Sequence, residues 1–204
     1  MGQYRSDDVK LGEIIALVCS SSSAVYFPTE VTPVDSAPYP IEHLVLPLPN
    51  FDNTPSYAVQ QGAGMAVTKS TETQEYASVI FLKWFTQGQQ NLKFSVNSGY
   101  MPVSVEAVMP ENIEQYLAEN PTSAIVSDTL RVAIEENRQY IMYTPPAFTG
   151  GTQARSVLDT TMLNLALRDR AAVEGGTDIE KFLTDAHFEE WYKDTLKQIQ
   201  ESCN

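Results

Sequence analysis

The stretch from Leu46 to Val103, LPLPNFDNTPSYAVQQGAGMAVTKSTETQEYASVIFLKWFTQGQQNLKFSVNSGYMPV, leaves this chain the fewest choices. It opens on Leu44-Val45-Leu46-Pro47-Leu48-Pro49, the end of an apolar run from Ile41 that reads as a buried strand stopped by proline, which fixes φ and removes a ladder donor. Gly62-Ala63-Gly64-Met65-Ala66-Val67-Thr68 then reads as a strand loosened by glycine, where missing side chains let a backbone or a ligand come close. From Ser70 to Gly99 the pattern is a helical hairpin. Thr71 and Gln74 form a capping box, Glu72 sits where the helix dipole favours an anion, and Ala77, Ile80, Phe81, Trp84 and Phe85 make one apolar face. Gly88 marks a break, and a shorter helix through Leu92, Phe94 and Val96 ends on Gly99 as a left-handed cap, with extended chain returning at Tyr100–Val103.

Upstream, Ile14 to Val18 reads as a second buried strand, with Cys19 a small buried thiol at its end. It runs into Ser20-Ser21-Ser22-Ser23 and then Tyr26. The serines suit a turn opening a short helix and equally suit hydroxyl donors in a cleft. Thr29 to Pro40 reads as a proline-rich surface connection. Downstream, an acidic helix spans Glu106 to Asn120, and another, capped by Ser127, runs to Asn137. Tyr143 to Gly151 is a loop held open by proline and glycine, leading into a helix from Thr152 to about Val173. It presents Phe148 just before unpaired first-turn N–H groups, with Gln153 and Arg155 in that turn. After Gly175-Gly176, Thr177 and Glu180 form a second capping box. Ile179, Phe182, Leu183 and Ala186, then Trp191, Leu196 and Ile199, read as core stripes offset by a break near Asp185–Phe188.

The segments LPLP, GAGMAVTKS, EYASVIFLKWF and SGYMPVS, in that order, resemble the extracellular solute-binding proteins of ABC importers, in particular the sugar-binding family that includes maltose-binding protein. The resemblance implies an α/β fold of the two-lobed, venus-flytrap kind, with this chain matching the C-terminal half. It implies that 1–62 and 106–204 belong to the C-terminal lobe, and that 63–105 is the hinge crossing and helical hairpin that packs on the other lobe. Ser21, Ser22, Tyr26, Gln61, Gly62, Gly64, Phe148, Gln153 and Arg155 are the candidate ligand contacts. In that family a Trp usually stands where Phe148 does here. The implied partners are a sugar or oligosaccharide and the permease, with no cofactor, no metal and no catalytic residue. The implied location is extracellular or periplasmic, with a lipid anchor whose signal lies outside this chain. Because the other lobe is expected to cover the Ala77–Phe85 face, the chain by itself is expected to self-associate or to fold the hairpin back.

Composition closes off several rivals. A net charge of −13 is the wrong sign for neutralising nucleic-acid phosphates. No apolar run reaches the 18 residues of a membrane span. The chain lacks G-x-S-x-G, H-E-x-x-H, P-loop and G-x-G-x-x-G patterns, and His43 and His187 have no nucleophile at a recognisable spacing, which argues against an enzyme. His43, without a second ligand at metal spacing, reads as structural. Cys19 and Cys203 make no disulfide framework. A carbohydrate-active enzyme domain, whose carboxylates need only meet in space, is the alternative class, followed by an interaction module.

Overall fold

Local rules start the chain. Arg5–Leu11 is a helix (α1) with Asp7 and Asp8 in its first turn, Lys10 in its last, and Gly12 closing it at φ 77°. Gly12 has a second reason to be glycine: a Cβ there would lie 2.9 Å from Val31 Cγ1. The computed structural model describes residues 4–203. The chain divides into two compact units, one ending at Thr144 and one starting at Pro145.

The expected strand at Ile14–Val18 does not form. Ile15, Val18 and Cys19 are exposed, because no strand among the described residues lies alongside to complete a ladder. The serine run opens a 3₁₀ turn, Ser21–Tyr26, whose Ala24 is buried. The proline-rich connection holds one small antiparallel pair, β1 (Glu30–Val31) with β2 (Tyr39–Pro40).

Ile41–Pro49 is extended and alternates as a strand should, with Ile41, His43 and Val45 partly covered and Leu44 and Leu46 exposed, but it pairs with no strand among the described residues. Side chains hold it instead. Glu136 accepts the Leu48 N–H, and Tyr140 Oη and Asn50 Nδ2 donate to the Leu48 carbonyl at 3.2 and 3.0 Å. Tyr57–Val59 (β3) pairs in parallel with Ile141–Tyr143 (β4). The strand expected at Gly62–Thr68 is also absent: residues 61–70 are exposed and without regular structure, since glycine weakens a strand that has no partner.

The helical hairpin forms as α2 (Glu72–Phe85) and α3 (Gly88–Ser98). Thr71 Oγ1 accepts the Gln74 N–H at 3.4 Å, and Gly99 ends α3 at φ 72°. Pro110–Glu119 (α4) and Ala124–Gln139 (α5) follow. Ser123, not Ser127, is the N-cap of α5; Ser127 lies in the first turn and bonds back to the Ala124 carbonyl. The core of this unit is Leu92 and Val96 of α3, Ile113 and Leu117 of α4, and Leu130 and Ile134 of α5, closed by Ala24 and Ala107. Each large side chain so buried contributes roughly 1.5–3 kcal/mol.

In the second unit Gly151–Glu174 (α6) and Asp185–Ser202 (α7) pack on each other along a narrow seam. A 3₁₀ turn at Ile179–Phe182 precedes α7; it is capped by Asp178, which accepts the Glu180 N–H at 3.1 Å, and not by Thr177. The break falls at Leu183–Thr184, where Thr184 caps α7. Of the expected core stripes, Ile179, Leu183 and Leu196 are exposed, because two helices cover only one stripe of each other.

The α/β expectation is met in part. The described residues are mostly helical, with two two-stranded sheets.

Candidate functional site

The expected ligand contacts fall on both units. In the first, the carbonyl of Ser21 and the Cα of Ser22 stand 2.8 Å from where a Gly99 Cβ would lie, so the end of α3 fixes the backbone of this serine turn. The Ser20 and Ser22 hydroxyls are 3.1 Å apart. Tyr26 closes the turn with its ring exposed. The Gln61–Gly64 run leaves β3 from an anchored point: the Gln60 N–H donates to the Tyr143 carbonyl at 2.8 Å, and the Thr144 hydroxyl donates to the Gln60 carbonyl at 3.2 Å. Beyond that point Gly62 and Gly64 have nothing within 4 Å of a Cβ position. No hydrogen bond among the described residues joins Ser21, Ser22 or Tyr26 to this run.

In the second unit, Gly150 (φ 84°) turns the chain into α6. The Phe148 ring lies 3.4 Å from where a Gly151 Cβ would stand, which places an exposed aromatic over the helix N-terminus. Gln153 in the first turn of α6 and Arg155 just after it are exposed. Cys203 Sγ donates to the Gly150 carbonyl at 3.4 Å, tying the end of α7 to this loop. Both cysteines are free thiols, and Cys19 is exposed where burial was expected.

Two clefts of the first unit lie elsewhere. One, of about 320 Å³, is lined by Met101, Met109, Ile134 and Arg138 among others. The second, of about 260 Å³, is lined by His43, Val45, Asp128 and Arg131 among others. None of the expected contacts lines either.

Charged pairs that no local pattern announces sit beside the second cleft. His43 Nε2 is 3.0 Å from Asp128 Oδ2, and Arg131 reaches Asp128 at 3.0 Å and grips both oxygens of Glu114 at 2.6 and 2.8 Å. The Arg131 hydrogen bond lowers the Glu114 carboxyl below its ordinary range, and the Glu114 bond raises Arg131. In the second unit His187 Nε2 meets Asp169 Oδ2 at 2.6 Å in the α6–α7 seam. Burial pushes the Asp169 carboxyl up, but hydrogen bonds from His187 and Arg168 outweigh it and leave the group lowered. The same seam holds the Thr195–Thr161 hydroxyl bond at 3.0 Å and a buried Trp191 Nε1 without a partner among the described residues.

Chemically, the arrangement offers exposed aromatic rings and hydroxyl, amide and guanidinium donors on loops and helix ends, which suit contact with a polar solute. Among the described residues, neither histidine ring is hydrogen-bonded to a serine, threonine or cysteine; each pairs with an aspartate. No described set of three or more His, Cys, Asp and Glu is placed to hold a metal ion, and no described helix is long and apolar enough to cross a membrane.

Residues 3–122 match the bacterial extracellular solute-binding protein family, which is more than half of the 204-residue chain. The chain belongs to that family. No curated protein and no solved structure matches it. Membership brings a periplasmic-binding-protein-like fold, a solute-binding role in transport with a permease partner in general, and an extracellular or periplasmic location. The family is typically non-enzymatic.

Proposed function

We propose that the chain is the C-terminal half of a two-lobed binding protein that captures a sugar or oligosaccharide and delivers it to an ABC permease. The observation that carries this reading is an unfinished sheet. β3 and β4 form a parallel pair with Tyr57, Val59, Ile141 and Tyr143 exposed, and Ile41–Pro49 runs extended beside α5 with no ladder partner among the described residues. Parallel strands are stable inside larger covered sheets, so further strands are called for. Residues 1–62 and 106–204 make up the second lobe in this reading, and 63–105 carries the crossing, with α2 turned toward the first lobe. The whole protein is held at the membrane by a lipid anchor.

In the first unit Tyr26 supplies a flat apolar face for a sugar ring, Ser21, Ser22 and Gln61 address hydroxyls, and Gly62 and Gly64 let a ligand approach the backbone. In the second unit Phe148 supplies such a face, and Gln153 and Arg155 address hydroxyls. Closure of the lobes traps the ligand. In the chain alone, the uncovered face of α2 supports self-association.

The test is thermal unfolding of the two-lobed protein against a panel of sugars, amino acids and polyamines. A saccharide at about a hundred times its Kd stabilises by about 2.7 kcal/mol. Tyr26→Ala and Phe148→Ala each abolish that gain. Stabilisation by an amino acid or polyamine, and by no sugar, overturns the ligand class. Turnover of a glycoside that disappears on mutating one carboxylate establishes the enzyme reading instead.

A further inference from the structure

We propose that the outer stripe of α2 is a homodimer surface on which two copies of this chain pair their α2 helices antiparallel. This gives a surface and a geometry to the self-association read above and rests on that reading.

The helix has two distinct sides. Glu75, Ser78, Leu82 and Phe85 are its partly covered positions, and Phe85 packs on Phe94 of α3 with ring centroids 4.9 Å apart. Glu75 is also engaged through its carboxylate, which accepts the Ser70 N–H at 2.7 Å. The other side carries Thr73, Ala77, Ile80 and Trp84, all exposed and spaced four, three and four residues apart. Such a spacing keeps a straight seam along a helix and is the pattern by which two helices interlock. Phe81 stands beside Trp84, with centroids 5.8 Å apart, and widens the apolar surface.

The order of sizes along the stripe selects the orientation. About a two-fold axis between Ala77 and Ile80, the smallest residue of one copy meets Ile80 of the other, and Thr73 meets Trp84. Small faces large at every layer. A parallel pair would set Trp84 on Trp84 and Ala77 on Ala77, giving a clash at one layer and a void at the next. Charge agrees with the antiparallel choice. Glu72 and Lys83 lie on one flank of the stripe near its opposite ends, and neither has an ion-pair partner among the described residues. Antiparallel pairing sets each Lys83 beside Glu72 of the second copy, once on either side of the axis, and opposes the two helix dipoles favourably. With a net charge of −13 per chain, copies repel in most orientations, so a face with balanced charge is favoured for contact.

Sedimentation of the 204-residue chain over a dilution series tests this, with far-ultraviolet circular dichroism checking that each variant keeps its helix content. The wild type should pass from dimer to monomer on dilution, and Trp84→Glu should be monomeric throughout. Lys83→Glu should weaken the dimer roughly three- to tenfold, since rim ion pairs are individually weak, and Glu72→Lys with Lys83→Glu should restore it. A wild-type chain that is monomeric at every concentration overturns self-association and this surface together. A dimer unchanged by Trp84→Glu overturns the surface alone. A double variant no better than Lys83→Glu overturns the antiparallel register.

Discussion

Consecutive helices in this chain meet opposite fates. α2 has the stronger apolar face in sequence, with Ile80, Phe81, Trp84 and Phe85, yet none of its residues is buried. α3 is more polar, and it buries Asn91, Leu92, Ser95 and Val96. The difference lies in what stands opposite. α3 faces α5 and the Ser21–Tyr26 turn, whereas α2 touches the rest of its unit chiefly through α3. Periodicity says which side of a helix seeks cover; it does not supply the cover. Of the two, α2 is therefore the helix that tertiary contacts stabilise less, and its local signals matter more.

Several substitutions break or sharpen this contrast, taken from the largest expected effect to the smallest. Leu130→Ala, at a side chain only 1% exposed, should cost about 2–5 kcal/mol in urea unfolding. Ile80→Ala in α2, tested below the dimerisation range, should cost under about 1 kcal/mol. Equal losses at the two positions would remove the contrast. Gly99→Ala should cost about 1–3 kcal/mol, because it forces a side chain into φ 72° and against the Ser21 carbonyl at 2.8 Å. Gly62→Ala and Gly64→Ala, in open space and without positive φ, should be neutral or stabilise by up to about 1 kcal/mol. Thr71→Ala removes the α2 cap and should cost about 0.5–1 kcal/mol, seen chiefly as faster exchange of the first-turn amides.

The seam of the second unit adds a pH test. Asp169 is lowered in the folded state, so its contribution is complete above its ordinary value of 3.8 and is lost as pH falls through the lower folded value. Unfolding midpoints of the wild type should drop below about pH 4 more steeply than those of Asp169→Asn. Parallel curves would deny the His187 pair any role in that loss.

Much of the helical frame was legible in the residues. The Thr71 cap and the Gly99 cap appear where local chemistry puts them, because each depends on a few neighbouring residues. The break expected at Gly88 falls just before it, at Thr86–Gln87, with Gly88 opening α3. The helix at Arg5–Leu11 was missed, although Asp7, Asp8, Lys10 and Gly12 signal it in four positions. The strands at Ile14–Val18 and Gly62–Thr68 were misread for a different reason. An apolar run shows that a segment can be buried, but a strand exists only through a partner, and no neighbouring residue encodes one. The same limit hid the pairs at His43–Asp128 and His187–Asp169, which unite residues far apart in sequence. Of the candidate site, the types of side chain on the loops could be read, while Phe148 over Gly151 and the seating of Ser21 against Gly99 required the fold.

Amide hydrogen exchange of the chain, followed by mass spectrometry at a concentration where it is monomeric and again where it is dimeric, tests the contrast most directly. Residues 88–98 and 124–139 should exchange only through global unfolding at both concentrations, while 72–85 should exchange by local opening when dilute and gain protection when concentrated. Protection of 72–85 equal to that of 88–98 in the dilute monomer would contradict the claim that α2 lacks cover within the chain.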